Sequence, residues 1–250
     1  MKRQKEWICV RQRAGPLVKE CRAIRPRLSR HDGPYVRSEK NKILRPPRDS
    51  SVCRTPTDRI ELLLALFGFD GYSYVLEWPD ETRPKDFASL RARSAKLIKY
   101  LRAQLGREFD YLYRFECLHG LGNYHIHITV SYNDFPPVAM EYYCKEFGDG
   151  ITVEWGKPLL LNPHDSYRRT AVYLTKEAKD GLKIPVSSRA WGCSRSLRQR
   201  LPLPEHFSSD SGVIEFPERP RACGRCTVDN AFGHYHYGWY IKQDPRHFVG

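Results

Sequence analysis

Residues 115–132, FECLHGLGNYHIHITVSY, restrict the fold more than any other stretch of the chain. Successive side chains of a β-strand point to opposite faces, so His125 and His127 share one face while Tyr124, Ile126, Ile128 and Val130 share the other. The two-glycine segment between FDYLYRFE and YHIHITVSY predicts a β-hairpin over 109–131. With Glu116 opposite His125, their Cβ atoms stand ~5 Å apart on one face, and a carboxylate converges with two imidazoles. That donor set suits Mn²⁺, Mg²⁺ or Zn²⁺ and leaves coordination positions for a phosphate oxygen and water.

The chain has 250 residues and is 40% hydrophobic, enough for one sizeable domain with extensions or two small ones. Its formal net charge is +13, and residues 1–56 alone hold sixteen Lys/Arg against five Asp/Glu. That segment carries Pro26, Pro34, Pro46 and Pro47 without sustained periodicity, so it reads as a basic N-terminal arm with at most one short helix. A basic arm on a nearly neutral body is what binding to a phosphate backbone calls for. The longest apolar stretch, residues 60–69, is about half the ~20 residues a membrane span needs, so no membrane role is expected. Eight cysteines without a secretory leader predict reduced thiols and a cytoplasmic location.

Beyond the arm, periodicity predicts alternating elements. TPTD caps a helix over 58–67, YSYVLEW forms a strand over 72–78, and apolar residues at 87, 90, 97, 98, 101 and 105 place a helix that Gly106 ends. After the hairpin come a helix over 137–147, a strand over 151–155 and a helix over 166–181. The expected fold is α+β, a five-stranded antiparallel sheet with flanking helices. It occupies residues 57–205, between the arm at 1–56 and a C-terminal extension at 206–250.

In the last of these helices Tyr173 and Lys176 are three residues apart and share a face. A helical tyrosine is ordinarily a core or rim residue, and a phenol with a pKa near 10 becomes a nucleophile only with activation. Taken together, Glu116, the HIH at 125–127 and the YLTK at 173–176 resemble the single-tyrosine HUH endonucleases. These act as rolling-circle replication initiators (Rep proteins) of small plasmids, phages and single-stranded DNA viruses. The resemblance spans roughly residues 70–200. It implies that Glu116, His125 and His127 hold a divalent metal (Mn²⁺ or Mg²⁺), that Tyr173 is the nucleophile and that Lys176 assists as a cation. YVLEWPDE is similar to the family's first motif, although Glu77 and Trp78 depart from its usual hydroxyl-rich form, and Glu77 receives no role.

The implied reaction is nicking and joining of single-stranded DNA at a replication origin through a 5′-phosphotyrosyl bond, in a bacterial host. The chain carries no GxxxxGK[ST], so unwinding falls to a host helicase and synthesis to a host polymerase. In SSRAWGCSRSLRQR (187–200), Arg189, Arg195 and Arg198 are interleaved with Trp191, a pattern that grips a backbone and stacks a base. Further on, Cys223, Cys226, His234 and His236 supply two thiols and two imidazoles for a structural Zn²⁺, although HxH is not the common zinc-finger spacing. Two other functions fit the same residues: a noncatalytic nucleic-acid-binding module on an RRM-like sheet, and a related HUH transposase or relaxase.

Overall fold

The computed structural model of the chain describes residues 7–24, 56–105, 109–118, 123–131, 152–153, 156–160, 166–175, 190–230 and 233–248. The chain is α+β and divides into two compact units, one of residues 60–201 and the other of residues 1–59 with 202–250.

The central unit opens with the rest of helix α1 (Pro56–Ala65), which buries Ile60 and Leu62 to Leu64. The chain then turns at Gly68, whose φ of +62° lies in the left-handed region where a Cβ is strained. Strand β3 (Gly71–Glu77) follows, then helix α2 (Phe87–Leu105). Asp86 caps α2 by accepting the Ser89 backbone N–H at 2.7 Å, and its inward face carries Phe87, Leu90, Leu97 and Leu101. Strands β4 (Tyr111–Leu118) and β5 (Asn123–Ser131) pair antiparallel as the expected hairpin, with Glu116 directly opposite His125.

Short strands β6 (Thr152–Val153), β7 (Lys157–Pro158) and β8 (Trp191–Cys193) complete this sheet. Its order is β6-β3-β5-β4-β8, with β7 also paired to β3 and every pairing antiparallel. One face is apolar: Phe115, Ile126, Ile128 and Val130 pack with Tyr74, Leu76 and the inward residues of α2. Each buried leucine there is worth roughly 1.5–3 kcal/mol, which holds α2 flat on that face. Glu116, His125 and His127 start from the other face. Helices α3 (Tyr167–Thr175) and α4 (Arg195–Gln199) belong to the same unit. The helix expected over 137–147 lies outside the described residues.

The second unit corrects the expectation of an arm. Residues 7–24 form strands β1 (Trp7–Ala14) and β2 (Leu17–Ile24), which pair with each other around Gly15. They join β9 (Glu205–Ser209), β10 (Ala222–Asn230) and β11 (Gly233–Ile241) in a five-stranded antiparallel sheet of order β10-β11-β2-β1-β9. The described residues of 206–250 are therefore no separate extension; they fold with β1 and β2.

The charges of these strands are used inside the sheet. Glu20, buried on β2, is gripped by Arg11 at 2.8 Å and Arg22 at 2.6 Å, and Arg22 also donates to the Ser211 carbonyl at 2.8 Å. Leaving one partner of such a buried set unpaired is costly, so Arg11 and Arg22 are tied into the fold. The rest of the expected arm, residues 1–6 and 25–55, lies outside the described residues.

Candidate metal and nucleophile site

The hairpin builds the centre of the site. Because β4 and β5 are in the register Glu116↔His125 and Arg114↔His127, all four side chains start from the same sheet face. The Glu116 Oε2 atom lies 2.7 Å from His127 Nε2 and 3.4 Å from His125 Nε2. The two Nε2 atoms are 3.2 Å apart. Among the described residues this is the one group of three or more His, Cys, Asp or Glu side chains whose ligand atoms converge, all within 4.8 Å of one another.

Three lone-pair-bearing atoms aimed at one point repel unless a proton or a cation sits among them. The donor set, two imidazole nitrogens and a carboxylate oxygen, fits a divalent cation with open positions. His125 is 2% exposed, so the set is held by the sheet.

Helix α3 brings the phenol to this group. The Tyr173 hydroxyl donates to Glu116 Oε2 at 3.2 Å and lies 3.4 Å from His127 Nε2, its ring edge-on to the His127 ring at 5.3 Å. Tyr173 is 48% exposed, so the group that reaches the ligands also reaches solvent. Tyr167, the other tyrosine of this helix and six residues earlier, is fully buried and donates its hydroxyl to the Gly68 carbonyl at 2.9 Å. Ala171 and Leu174 fill the buried side of α3 and fix which way Tyr173 points.

Electrostatics separates the two acids. Burial alone would raise the Glu116 carboxyl, but hydrogen bonds from His125 and His127 and the nearby Arg114 charge outweigh it and hold Glu116 well below the usual carboxylate range. The Tyr173 phenol is pushed up to about 12, first by burial and then by the Glu116 carboxylate, with Arg114 opposing. The carboxylate is thus always ready to ligate. The phenol keeps its proton at neutral pH unless positive charge is added beside Glu116.

Arg114 is the residue that motif reasoning missed. It is 4% exposed, lies on the same face two positions before Glu116, and donates from Nη1 to the Tyr173 backbone carbonyl at 3.0 Å. That bond ties the end of α3 to the strand carrying the carboxylate. Strand alternation already placed Arg114 on the site face; its remote partner on α3 gave no sequence signal. Glu77 is opposite His125 from the other side, on β3, yet its carboxyl is not among the converging atoms.

The remaining expected residues fall in three ways. Lys176 and Arg189 lie outside the described residues. Trp191 sits on β8 opposite Arg114, and Arg195 and Arg198 are exposed on α4, whose cap Ser194 and neighbour Ser196 both donate to Asp110. The proposed zinc set does not form: Cys223 and Cys226 are three apart on β10 and so face opposite sides of the sheet. Cys223 shares the face of His236 but stands four positions along, roughly 14 Å at strand rise. His234 and His236 do meet, with Nε2 atoms 2.7 Å apart, and His234 pairs with Asp229.

No family model matches the chain, and no curated protein or solved structure matches it significantly. Among the described residues no helix is long and apolar enough to cross a membrane.

Proposed function

We propose that the chain is a metal-dependent endonuclease and strand transferase that nicks single-stranded DNA through Tyr173 and starts rolling-circle replication, as the resemblance to HUH initiators implies. One observation carries the reading: a half-exposed phenol rests 3.2 Å from the carboxylate of a cluster of two buried histidines and a partly buried glutamate. A bare binding module has no use for that juxtaposition.

Glu116, His125 and His127 would hold a divalent cation, which would supply Lewis-acid polarisation of the scissile phosphate and charge offsetting Glu116 at the phenol. Tyr173 attacks phosphorus with its hydroxyl oxygen. A P–O bond to Tyr173 forms, the P–O bond to the 3′ oxygen breaks, and the phenolic proton lost is balanced by the proton the 3′ oxygen gains. The product is a 5′-phosphotyrosyl ester with a free 3′-hydroxyl. Ester replaces ester, so the step needs no ATP and reverses when a new 3′-hydroxyl attacks. Arg114 anchors the nucleophile's helix, and holding reactants in line is worth several orders of magnitude in such transfers. Unwinding and synthesis would come from a host helicase and polymerase.

The test is a denaturing gel on wild-type protein with 3′-labelled single-stranded DNA of randomised sequence. The expected result is a Mn²⁺- or Mg²⁺-dependent protein–DNA adduct that a chelator abolishes and that His125→Ala/His127→Ala lacks. Binding without any adduct would instead favour the noncatalytic RRM-like module.

A further inference from the structure

The face of β4 that turns away from Glu116 presents Tyr111, Tyr113 and Phe115, and between these and α2 lies an open cleft of about 540 Å³. Three cations line its helical wall, Arg91, Lys99 and Arg102, all exposed. No acidic residue is among the described lining residues. The space between the cations is left by Ala95 and Ala103. The tyrosine rings lie side by side, 6.2 Å apart and 23° from parallel. Tyr113 reaches under β8, where a Cβ on Gly192 would stand 2.6 Å from its hydroxyl, so glycine is what admits the ring.

Burial raises both phenols, while Arg198, from the α4 segment singled out in the sequence, acts on both in the opposite sense. The rings therefore stay neutral stacking surfaces amid positive charge.

A cluster of cations on a helix is ordinarily a solvated face. Here it flanks a hollow floored by Tyr111 and Tyr113, whose rings are only partly buried, and its described lining residues include none of the acids that usually balance such a face. A groove with one sign of charge and an aromatic floor fits a chain of phosphates carrying flat bases, whereas a folded acidic partner would leave the hollow unfilled. We propose that this cleft holds a segment of the single-stranded DNA substrate, phosphates on Arg91, Lys99 and Arg102 and bases against Tyr111 and Tyr113. The choice of DNA among polyanions rests on the proposed nicking function. The cleft is on the opposite sheet face from the metal cluster, beside the edge strand β8, so it binds DNA that flanks the nick.

The experiment uses the full chain carrying Tyr173→Phe, so that binding is read without chemistry, and follows fluorescence anisotropy of a labelled oligothymidine of ~16 nucleotides across salt concentrations. Arg91→Ala/Lys99→Ala/Arg102→Ala changes exposed helical positions to the best helix former, so the fold is retained and checked by its unfolding transition. The expected result is a loss of affinity of at least about tenfold and a log–log salt slope shallower by roughly 2, from about 0.7 per phosphate for three contacts. Tyr111→Leu weakens binding on the order of tenfold with the slope unchanged, because it removes stacking and no charge. Unchanged affinity and slope in the triple variant would overturn the assignment, as would an equal loss toward polyglutamate, which marks a surface for any polyanion. Normal adduct formation in a Tyr173-containing triple variant that also binds normally sinks the cleft and leaves the nicking site standing. Cleft-dependent binding by a wild type that forms no adduct does the reverse.

Discussion

At the scale of single residues, the site depends on two tyrosines of one helix having opposite environments. Tyr173 is half exposed against Glu116, and Tyr167 is sealed against the Gly68 carbonyl. Tyr167→Phe should keep the covalent adduct and lower stability by about 1 kcal/mol, the usual worth of one hydrogen bond, read as a shift in denaturant midpoint. For Tyr173 the sign of the pH dependence follows from its direction. A phenol raised to about 12 in the folded state, against ~10 unfolded, contributes stability that is fully present below pH ~10 and lost as the pH climbs through 12. The phenolate absorbance difference between metal-free wild type and Tyr173→Phe should therefore rise near 12. Adding Mn²⁺ should move it to lower pH, and an unmoved titration would mean that no cation binds beside Glu116. The carboxylate and histidines were legible in the sequence because strand alternation and hairpin register are local rules, whereas Tyr173, on a helix, stood out only through the resemblance that YLTK carries. Arg114 was not legible, because its role lies in a bond to the Tyr173 carbonyl 59 positions away.

At the scale of elements, the same contrast separates what periodicity reveals from what it hides. Helix α2 was readable end to end, since its inward residues recur at helical spacing and Gly106 follows its last residue. Strands β1 and β2 were hidden by Arg11, Lys19, Glu20 and Arg22, which read as solvated charge. Three of these are in fact buried, and Glu20 is the shared partner of Arg11 and Arg22. The zinc reading failed on the same alternation that made the hairpin legible, since an odd spacing within a strand parts two side chains. The docking of α3 is the element-scale feature most open to test. Arg114→Gln removes the charge and the reach to the Tyr173 carbonyl while sparing the three ligands. Adduct formation should slow on the order of 10²-fold, as misplacement of a reacting group by about 1 Å does, with Mn²⁺ affinity retained. An equal loss of metal binding would assign Arg114 to the metal cluster instead.

At the scale of the whole molecule, the two units have different relations to the chain. Residues 60–201 are contiguous and contain Glu116, His125, His127 and Tyr173, whereas the other unit is assembled from both ends. Strands β1 and β2 lie in the middle of that second sheet, between β9 and β11. Deleting residues 1–24 should thus expose 202–250 to proteolysis and remove one unfolding transition. A dispensable arm would leave the C-terminal region protected and change only the salt dependence of DNA binding. The claim on which the rest depends is that Tyr173 becomes covalently attached to DNA at the Glu116, His125 and His127 cluster. Its most direct measurement is mass-spectrometric mapping of the nucleotide-bearing peptide after wild-type protein is incubated with single-stranded DNA and Mn²⁺ and then digested with nuclease and protease. The expected result is a nucleotide on Tyr173, present with Mn²⁺ and absent with chelator; a nucleotide on Tyr167 or elsewhere, or on no residue at all, would contradict it.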